Sequence, residues 1–441
     1  MSTTNTDEGL KRVIGIPGLA ATIINNTIGA GIYALPAIVG LQMAGASMLG
    51  YLFCGFMLVT IMLCYVEIGS RINDSGGSYI YVERAFGSFA GFIINWLFFF
   101  GWGVLGSAAL MNVLADSLAV LFPIFSNLPM RALLFFILLA LMVLVNVRGA
   151  KQGVRFVQYI TIVKLIPLFG IILFGIIHVK TSKLHWEHLP SLASFGDTAL
   201  VLFFAFAGFE TSLNSSGEIK NPKQTIPRGI LLGGAVVFII YLLIQIVTQG
   251  ILGAEMGKFQ AAPLAAVAEK IIGLAGASIL IIAAVVSCLG NVSGDVLATP
   301  RLLFAGANDG LFPKFLAKVH PRFATPYMAV ISYAALIFIF SVSGGFKQLA
   351  IFASCDLLLI YLAVILAMIK LRMKKEQGAE KVFIVPGGLV IPVIAIAAII
   401  WLLSHLSAKE IVSTILFIAV IGVIYFFMKL KNKTAADRKN I

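Results

Sequence analysis

Predominantly apolar stretches of about 18 or more residues recur from one end of this chain to the other, each long enough to cross a bilayer core of roughly 30 Å. That repetition constrains the fold more than any motif does. A water-soluble reading is excluded: 60% of the 441 residues are AVILMFWYC and only 12% are charged, against roughly 25% charged in an ordinary soluble domain. Inside lipid every backbone polar group needs an internal partner, so long apolar segments of this kind fold as helices. The sequence predicts an all-α polytopic membrane protein with 12 transmembrane helices. They lie near 14–37, 42–68, 87–120, 131–147, 155–178, 195–217, 229–253, 271–305, 326–343, 349–370, 385–403 and 411–428.

Charge sets the orientation. Twelve spans place both ends on one side, and if that side is the cytoplasm, the ends and inner loops hold 24 of the 32 Lys and Arg. The outer loops hold Arg131, Lys180, Lys183, Lys258, Lys270, Lys347 and Lys409, and Lys164 lies inside a span. The positive-inside rule therefore puts both termini in the cytoplasm of a multi-pass plasma (inner) membrane protein. The net charge of +13 is spread over short loops and not gathered on a folded basic face, which argues against nucleic-acid binding. The segments KLRMKKEQGAEK and KLKNKTAADRKN read as solvated cytoplasmic charge. The opening MSTTNTDEGLKR lacks the basic and small-residue features of a cleaved signal, so the first apolar segment is expected to persist as a membrane helix. Cys54, Cys64, Cys288 and Cys355 all fall in apolar stretches without paired spacing or His neighbours, so neither a disulfide framework nor a zinc site is expected. Segments 76–86 and 258–270 are too short and polar to span and read as amphipathic helices at the inner and outer interface.

Two spans carry helix-weakening residues at mid-depth. The first contains Asn25, Asn26, Thr27, Ile28, Gly29, Ala30 and Gly31; the sixth contains Phe204, Ala205, Phe206, Ala207, Gly208, Phe209, Glu210 and Thr211. Irregular backbone at that depth is tolerated only where protein buries it or a watery cavity meets it. Breaks five spans apart point to a transporter with inverted five-helix repeats and a midplane substrate site. A broken helix offers N–H groups and a positive dipole end to a carboxylate, and the facing half offers carbonyls to an ammonium. The competing reading is that Gly29, Gly31 and Gly208 simply allow close helix packing.

Here the chain resembles the amino acid/polyamine/organocation (APC) superfamily of permeases, bacterial type. IGAGIYALP is similar to that superfamily's GSGIF-type unwound segment, and YVEIGSRINDSGGSYIYVERAFG to its second-span exit and first inner loop. FAFAGFETSLNSSGEIKNPKQTIPRGI resembles its sixth span and following loop, and TPRLLFAGANDGLFPKFLAKVHPRFATP its eighth-span exit. The likeness covers about residues 12–430. It implies a LeuT-type 5+5 inverted repeat: a tail 1–13, repeats at 14–180 and 195–370, helices 11 and 12 at 385–428, and a tail 429–441. It further implies a substrate carboxylate on Ala30 and Gly31 and a substrate amino group on carbonyls of Thr27, Phe204 and Ala207, with Phe204 and Phe206 at gate positions. Ala30 stands where the superfamily usually has Ser, which leaves the carboxylate to backbone N–H groups.

Several ionisable groups lie within the spans or at their inner ends. Glu210, one turn beyond the second break, either senses protons, as the resemblance implies, or caps the second half-helix. Lys164, in VQYITIVKLIPL, sits about ten residues from either end of its span; the resemblance places its amine where sodium-coupled relatives hold sodium, and snorkelling to the interface is the alternative. Asp295, in CLGNVSGDVLATPR, aligns with a position that is aromatic in arginine/agmatine antiporters. It binds a distal substrate group, takes a proton, or bonds to Asn291, Ser293 or Arg301. Asp356 is a further intramembrane acid with no partner legible in sequence, and Glu67, Arg71 and Arg84 are expected to form inner-face ion pairs.

The expected function is sodium-independent secondary transport of an amino acid or related amine, either proton-coupled or by exchange. The expected partners are an amino acid substrate, protons and the lipid bilayer, with no nucleic acid, no metal and no cofactor; the oligomeric state is not legible. An enzyme is disfavoured because no span carries HExxH, GxSxG or paired histidines, a channel because no filter-like loop repeats, and an ATP-driven pump because there is no P-loop.

Overall fold

The computed structural model describes residues 12, 14–72, 76–148, 150–185, 189–308, 312–323, 325–374 and 383–437. Most of the 1–13 tail, and residues 375–382 and 438–441 of the two basic segments, lie outside the described residues. Among the described residues the chain is almost wholly helical, and its one β pairing is the bridge between Ile14 and Ile219.

The first half runs α1 (Ile16–Thr27), α2 (Gly31–Met43), α3 (Ser47–Arg71), α4 (Ser78–Phe86) and α5 (Ser88–Trp96). A π-helical run, Leu97–Gly106, leads into α6 (Ser107–Leu121), followed by α7 (Leu128–Arg148) and α8 (Ala150–Gly175). The second half runs α9 (Leu192–Phe206), a 3-10 segment Phe209–Glu218, α10 (Pro222–Leu252), α11 (Pro263–Ile272) and α12 (Leu274–Ala298). It ends with α13 (Pro300–Asn308), α14 (Tyr327–Ser343), α15 (Phe346–Met373), α16 (Val390–Leu403) and α17 (Ala408–Asp437). Proline stands in the first turn of α1, α10 and α11, where its missing N–H has no intrahelical partner to lose.

Several expected boundaries move. The first span divides into α1 and α2, and α2 continues past 37 to Met43 before the chain turns at Ala44, whose φ is 45°, so α3 starts at Ser47 and not at 42. Segments 76–86 and 258–270 do fold as short helices, α4 and α11, the latter shifted towards Ile272. Among the described residues, eight helical runs are long and apolar enough to cross a membrane: Gly31–Arg71, Ser88–Leu121, Leu128–Arg148, Leu192–Asn214, Pro222–Phe259, Leu274–Asn308, Phe346–Met373 and Ala408–Lys429. Val163–His178, Tyr327–Ser343 and Val390–Leu403 are shorter apolar helices that fall on expected spans.

The chain forms two compact units, each interleaved from distant stretches of sequence. The first draws on residues up to Asn95, Leu168–Leu280 and Ser354–Leu406. In it α10 packs along α1 and α3, α2 packs on α9, and α1 meets the 3-10 segment. At one end of α3 the fully buried Glu67 accepts from Arg71 Nη2 (2.9 Å), from the Arg372 guanidinium through Nε (2.8 Å) and Nη2, and from the Val385 N–H (2.8 Å). The expected Glu67–Arg71 pair is thus present, with Arg372 of α15 as its stronger member. A carboxylate fully removed from water is tolerable only when saturated in this way.

The second unit draws on Trp96–Pro167, Ile281–Ala353 and residues from Ser407 onward. There α14 packs on α6, α7 and the π-helical run. Arg131 of α7 donates to Asp116 (2.6 Å) and to the Asn112 side chain (2.8 Å), tying α7 to α6.

Candidate functional site

Both breaks fall in the first unit and meet each other. α1 stops at Thr27, where the Gly29 N–H turns back to the Thr27 carbonyl (2.9 Å) and no longer continues the helix. α2 restarts at Gly31, so the N–H groups of Gly31 and Ile32 open a helix and have no carbonyl within it. α9 ends at Phe206; Ala207 is extended (ψ 158°) and Gly208 is left-handed (φ 119°). Beyond it the backbone is a 3-10 segment and not the α-helix expected to reach 217.

Glycine is required at Gly208 twice over: its φ is unfavourable for an L side chain, and an added Cβ would stand 2.6 Å from the Asn26 carbonyl oxygen. At Gly31 a Cβ would stand 2.7 Å from the Ala205 Cβ, so this glycine sets how closely α2 and α9 cross. Close packing and access to backbone N–H groups are therefore both served at Gly31.

Side chains stitch the breaks. Asn26 Nδ2 donates to Thr211 Oγ1 (2.7 Å) and to Ser212 Oγ (3.3 Å). Tyr241 of α10 points its hydroxyl at the Thr27 carbonyl (2.9 Å) and the Ala205 carbonyl (2.8 Å), reaching one acceptor from each broken helix. Glu210 Oε2 accepts from the Gly208 N–H (3.1 Å) and from the Tyr361 hydroxyl of α15 (2.6 Å), while its Oε1 is buried without a hydrogen-bond partner. The carboxyl thus caps the 3-10 segment with one oxygen and keeps the other uncommitted. Around it Tyr65, Phe209 and Tyr361 pack at centroid distances of 5.2–5.6 Å. Phe206 packs edge-on between Tyr241 (5.1 Å) and Tyr51 (6.2 Å), and Phe204 is buried nearby in the chain.

Thr27, Gly29, Ala30, Gly31, Phe204, Phe206, Ala207, Gly208 and Glu210 therefore share the first unit and are all buried. Lys164 and Asp295 belong to the second. Lys164 is 1% exposed, so it does not snorkel, and its Nζ donates to Asn291 Oδ1 of α12 (3.2 Å). Asp295 Oδ2 accepts from Ser107 Oγ of α6 (2.8 Å), a partner outside the set expected from sequence. Asp356 is buried in α15. Tyr241 and Tyr361 were not legible beforehand; their one available signal is a phenol inside an apolar run, which when buried needs a partner for its O–H. Among the described residues there is no group of three or more His, Cys, Asp or Glu able to hold a metal ion.

Comparison with known proteins gives a consistent result. The sequence profile of the amino acid permease family matches residues 14–428. The serine/threonine exchanger SteT of Bacillus subtilis (strain 168) is 30% identical over 411 residues, covering 90% of this chain and 92% of that protein. The methylthioribose transporter of the same organism is 27% identical over 451 residues, covering 98% and 96%. The large neutral amino acids transporter small subunit 2 of Homo sapiens is 28% identical over 393 residues, covering 83% and 71%.

Proposed function

This chain belongs to the amino acid permease family, within the APC superfamily, and from that premise we propose that it is a membrane transporter that carries an amino acid by alternating access, without sodium and with proton coupling. The paired breaks carry this reading. At α2 the opening N–H groups of Ala30, Gly31 and Ile32 suit a carboxylate, and the last carbonyls of α9 with that of Thr27 suit an ammonium. Both poles of a zwitterion then meet backbone dipoles, and no fixed ion has to be buried. Tyr241 holds the Thr27 and Ala205 carbonyls while the substrate is away, so an arriving ammonium competes with one hydroxyl and not with a salt bridge.

Twelve helices in two inverted five-helix repeats, with both termini cytoplasmic, complete the proposal, supported by the eight long apolar runs and by the paired position of the breaks. The buried ammonium of Lys164 supports sodium independence, because a protein cation on the membrane interior serves where a bound metal ion otherwise would. A second reading, obligatory exchange of one amino acid for another, is favoured by the relative that is named a serine/threonine exchanger. Proteoliposomes separate the two: proton-coupled transport accumulates a labelled amino acid into empty vesicles under an inward proton gradient, whereas an obligatory exchanger takes up label only when unlabelled substrate is inside. Uptake of no amino acid in either arrangement would remove both.

A further inference from the structure

Asn291, Asp295 and Thr299 stand at i, i+4 and i+8, one stripe of a single helical register, because the Thr299 N–H returns to the Asp295 carbonyl (2.9 Å) just beyond α12. Each reaches a different helix of the second unit. Asn291 takes the Lys164 ammonium of α8, Asp295 takes the Ser107 hydroxyl of α6, and Thr299 is hydrogen-bonded to the Tyr333 hydroxyl of α14. Ser107 and Tyr333 also approach each other (3.5 Å), closing a chain of Asp295, Ser107, Tyr333 and Thr299. The π-helical run ends immediately before Ser107, and within it Gly103 leaves room for this chain: a Cβ there would stand 3.2 Å from the Tyr333 hydroxyl and from Thr299 Cγ2. A π-helical stretch in the middle of a membrane helix is rare and characteristic of functional sites.

Three features set Asp295 apart from a structural hydrogen-bond acceptor. An Asn would accept from Ser107 equally well without an intramembrane charge, which is costly. Ser107 and Tyr333 are fully buried, yet Asp295 itself keeps part of its surface open, unlike Lys164. Among the described residues the titratable and charged groups that face the stripe are Tyr333 from α14, Lys164 from α8 through Asn291, and Cys288 beside Lys164 on α12, with Arg301 turned back to the Leu297 carbonyl. We propose that Asp295 is a proton-carrying carboxyl of the transport cycle, positioned by Ser107 and Tyr333 and separate from Lys164. Its carboxylate oxygen takes a proton from water on one side of the membrane and returns it to water on the other; only O–H bonds form and break. This rests on the proton-coupled reading above and assigns it a second group.

The test is Asp295→Asn in sodium-free proteoliposomes, with accumulation driven by a proton gradient and counterflow exchange at fixed pH measured side by side. The expected result is retained counterflow, lost proton-driven accumulation and a flattened pH profile. Asp295→Glu, which restores the carboxyl, keeps proton-driven accumulation, and Ser107→Ala moves the midpoint of the pH profile while counterflow persists. Wild-type accumulation in Asp295→Asn overturns the assignment, as does loss of counterflow in Asp295→Asn together with Asp295→Glu, which would mark a structural role. If the unaltered protein exchanges substrate but never accumulates it under a proton gradient, the proton-coupled reading itself fails; if it accumulates, Lys164→Ala abolishes this and Asp295→Asn does not, only the assignment of Asp295 fails.

Discussion

The two units place their buried polar groups differently. In the first, the polar groups of the breaks are mostly backbone, the N–H and C=O groups freed where α1 and α9 stop, met by the hydroxyl of Tyr241, the amide of Asn26 and the single carboxyl of Glu210. In the second, the polarity is carried by side chains, an ammonium at Lys164 and a carboxyl at Asp295, on or against one stripe of α12. Backbone dipoles are fixed in charge and suit a substrate whose poles never change sign. Ionisable side chains gain and lose a proton, which suits coupling. On the reading proposed above, recognition falls to the breaks of the first unit, and coupling to ionisable groups such as Lys164 and Asp295 of the second.

The largest effect expected from breaking this division is at Gly208. Gly208→Val forces a β-branched residue into left-handed backbone, a strain of about 1–3 kcal/mol, and drives its Cβ onto the Asn26 carbonyl. Uptake and counterflow should both vanish in protein that still reaches the membrane; normal counterflow in correctly inserted Gly208→Val would show that the breaks need not touch. Next comes Lys164. Lys164→Ala should lose proton-driven accumulation but keep counterflow, and Lys164→Arg, which cannot deprotonate, distinguishes a cycling proton from a fixed charge by failing or succeeding in accumulation. Wild-type accumulation in both variants would take Lys164 out of coupling.

A smaller change is expected at Tyr241. Tyr241→Phe removes the single hydroxyl proton shared by the Thr27 and Ala205 carbonyls, a cost of about 1–3 kcal/mol, to be seen as a lower unfolding temperature and an altered KM with proton coupling intact. A changed proton dependence would blur the separation between the units. The smallest expected effect is none: replacing sodium by choline at fixed pH should leave transport unchanged, and a sodium-dependent rate would remove Lys164 from its proposed place.

Much of the first unit's site was legible in sequence because its signals are local. Asn, Thr and Gly crowded at mid-span announce a break without knowledge of any partner, and both breaks lie where that pattern places them. The partners were not legible, because their contacts join stretches far apart in the chain: Tyr241 and Thr27 are 214 positions apart, and Arg372 and Glu67 are 305 apart. The run LFFFGWGVLG reads as ordinary helix, and the π-helical form in which it packs against α14 is not written in its apolar composition. Ser107 was hidden for the same reason, since the register shift that precedes it is not written in any local residue preference. The 3-10 backbone after Gly208 departs from the expected α-helix where the Glu210 carboxyl takes the Gly208 N–H, a local cap that competes with helix continuation.

Because the first unit is proposed to read both poles of the substrate through backbone groups, the most direct measurement is counterflow in sodium-free proteoliposomes against a panel of unlabelled competitors that differ at one pole only. The free amino acid should compete, while its carboxamide, its decarboxylated amine and its N-acetyl derivative should not. Competition by the decarboxylated amine as strong as that by the intact amino acid would contradict carboxylate capture at Ala30 and Gly31 and with it the central claim.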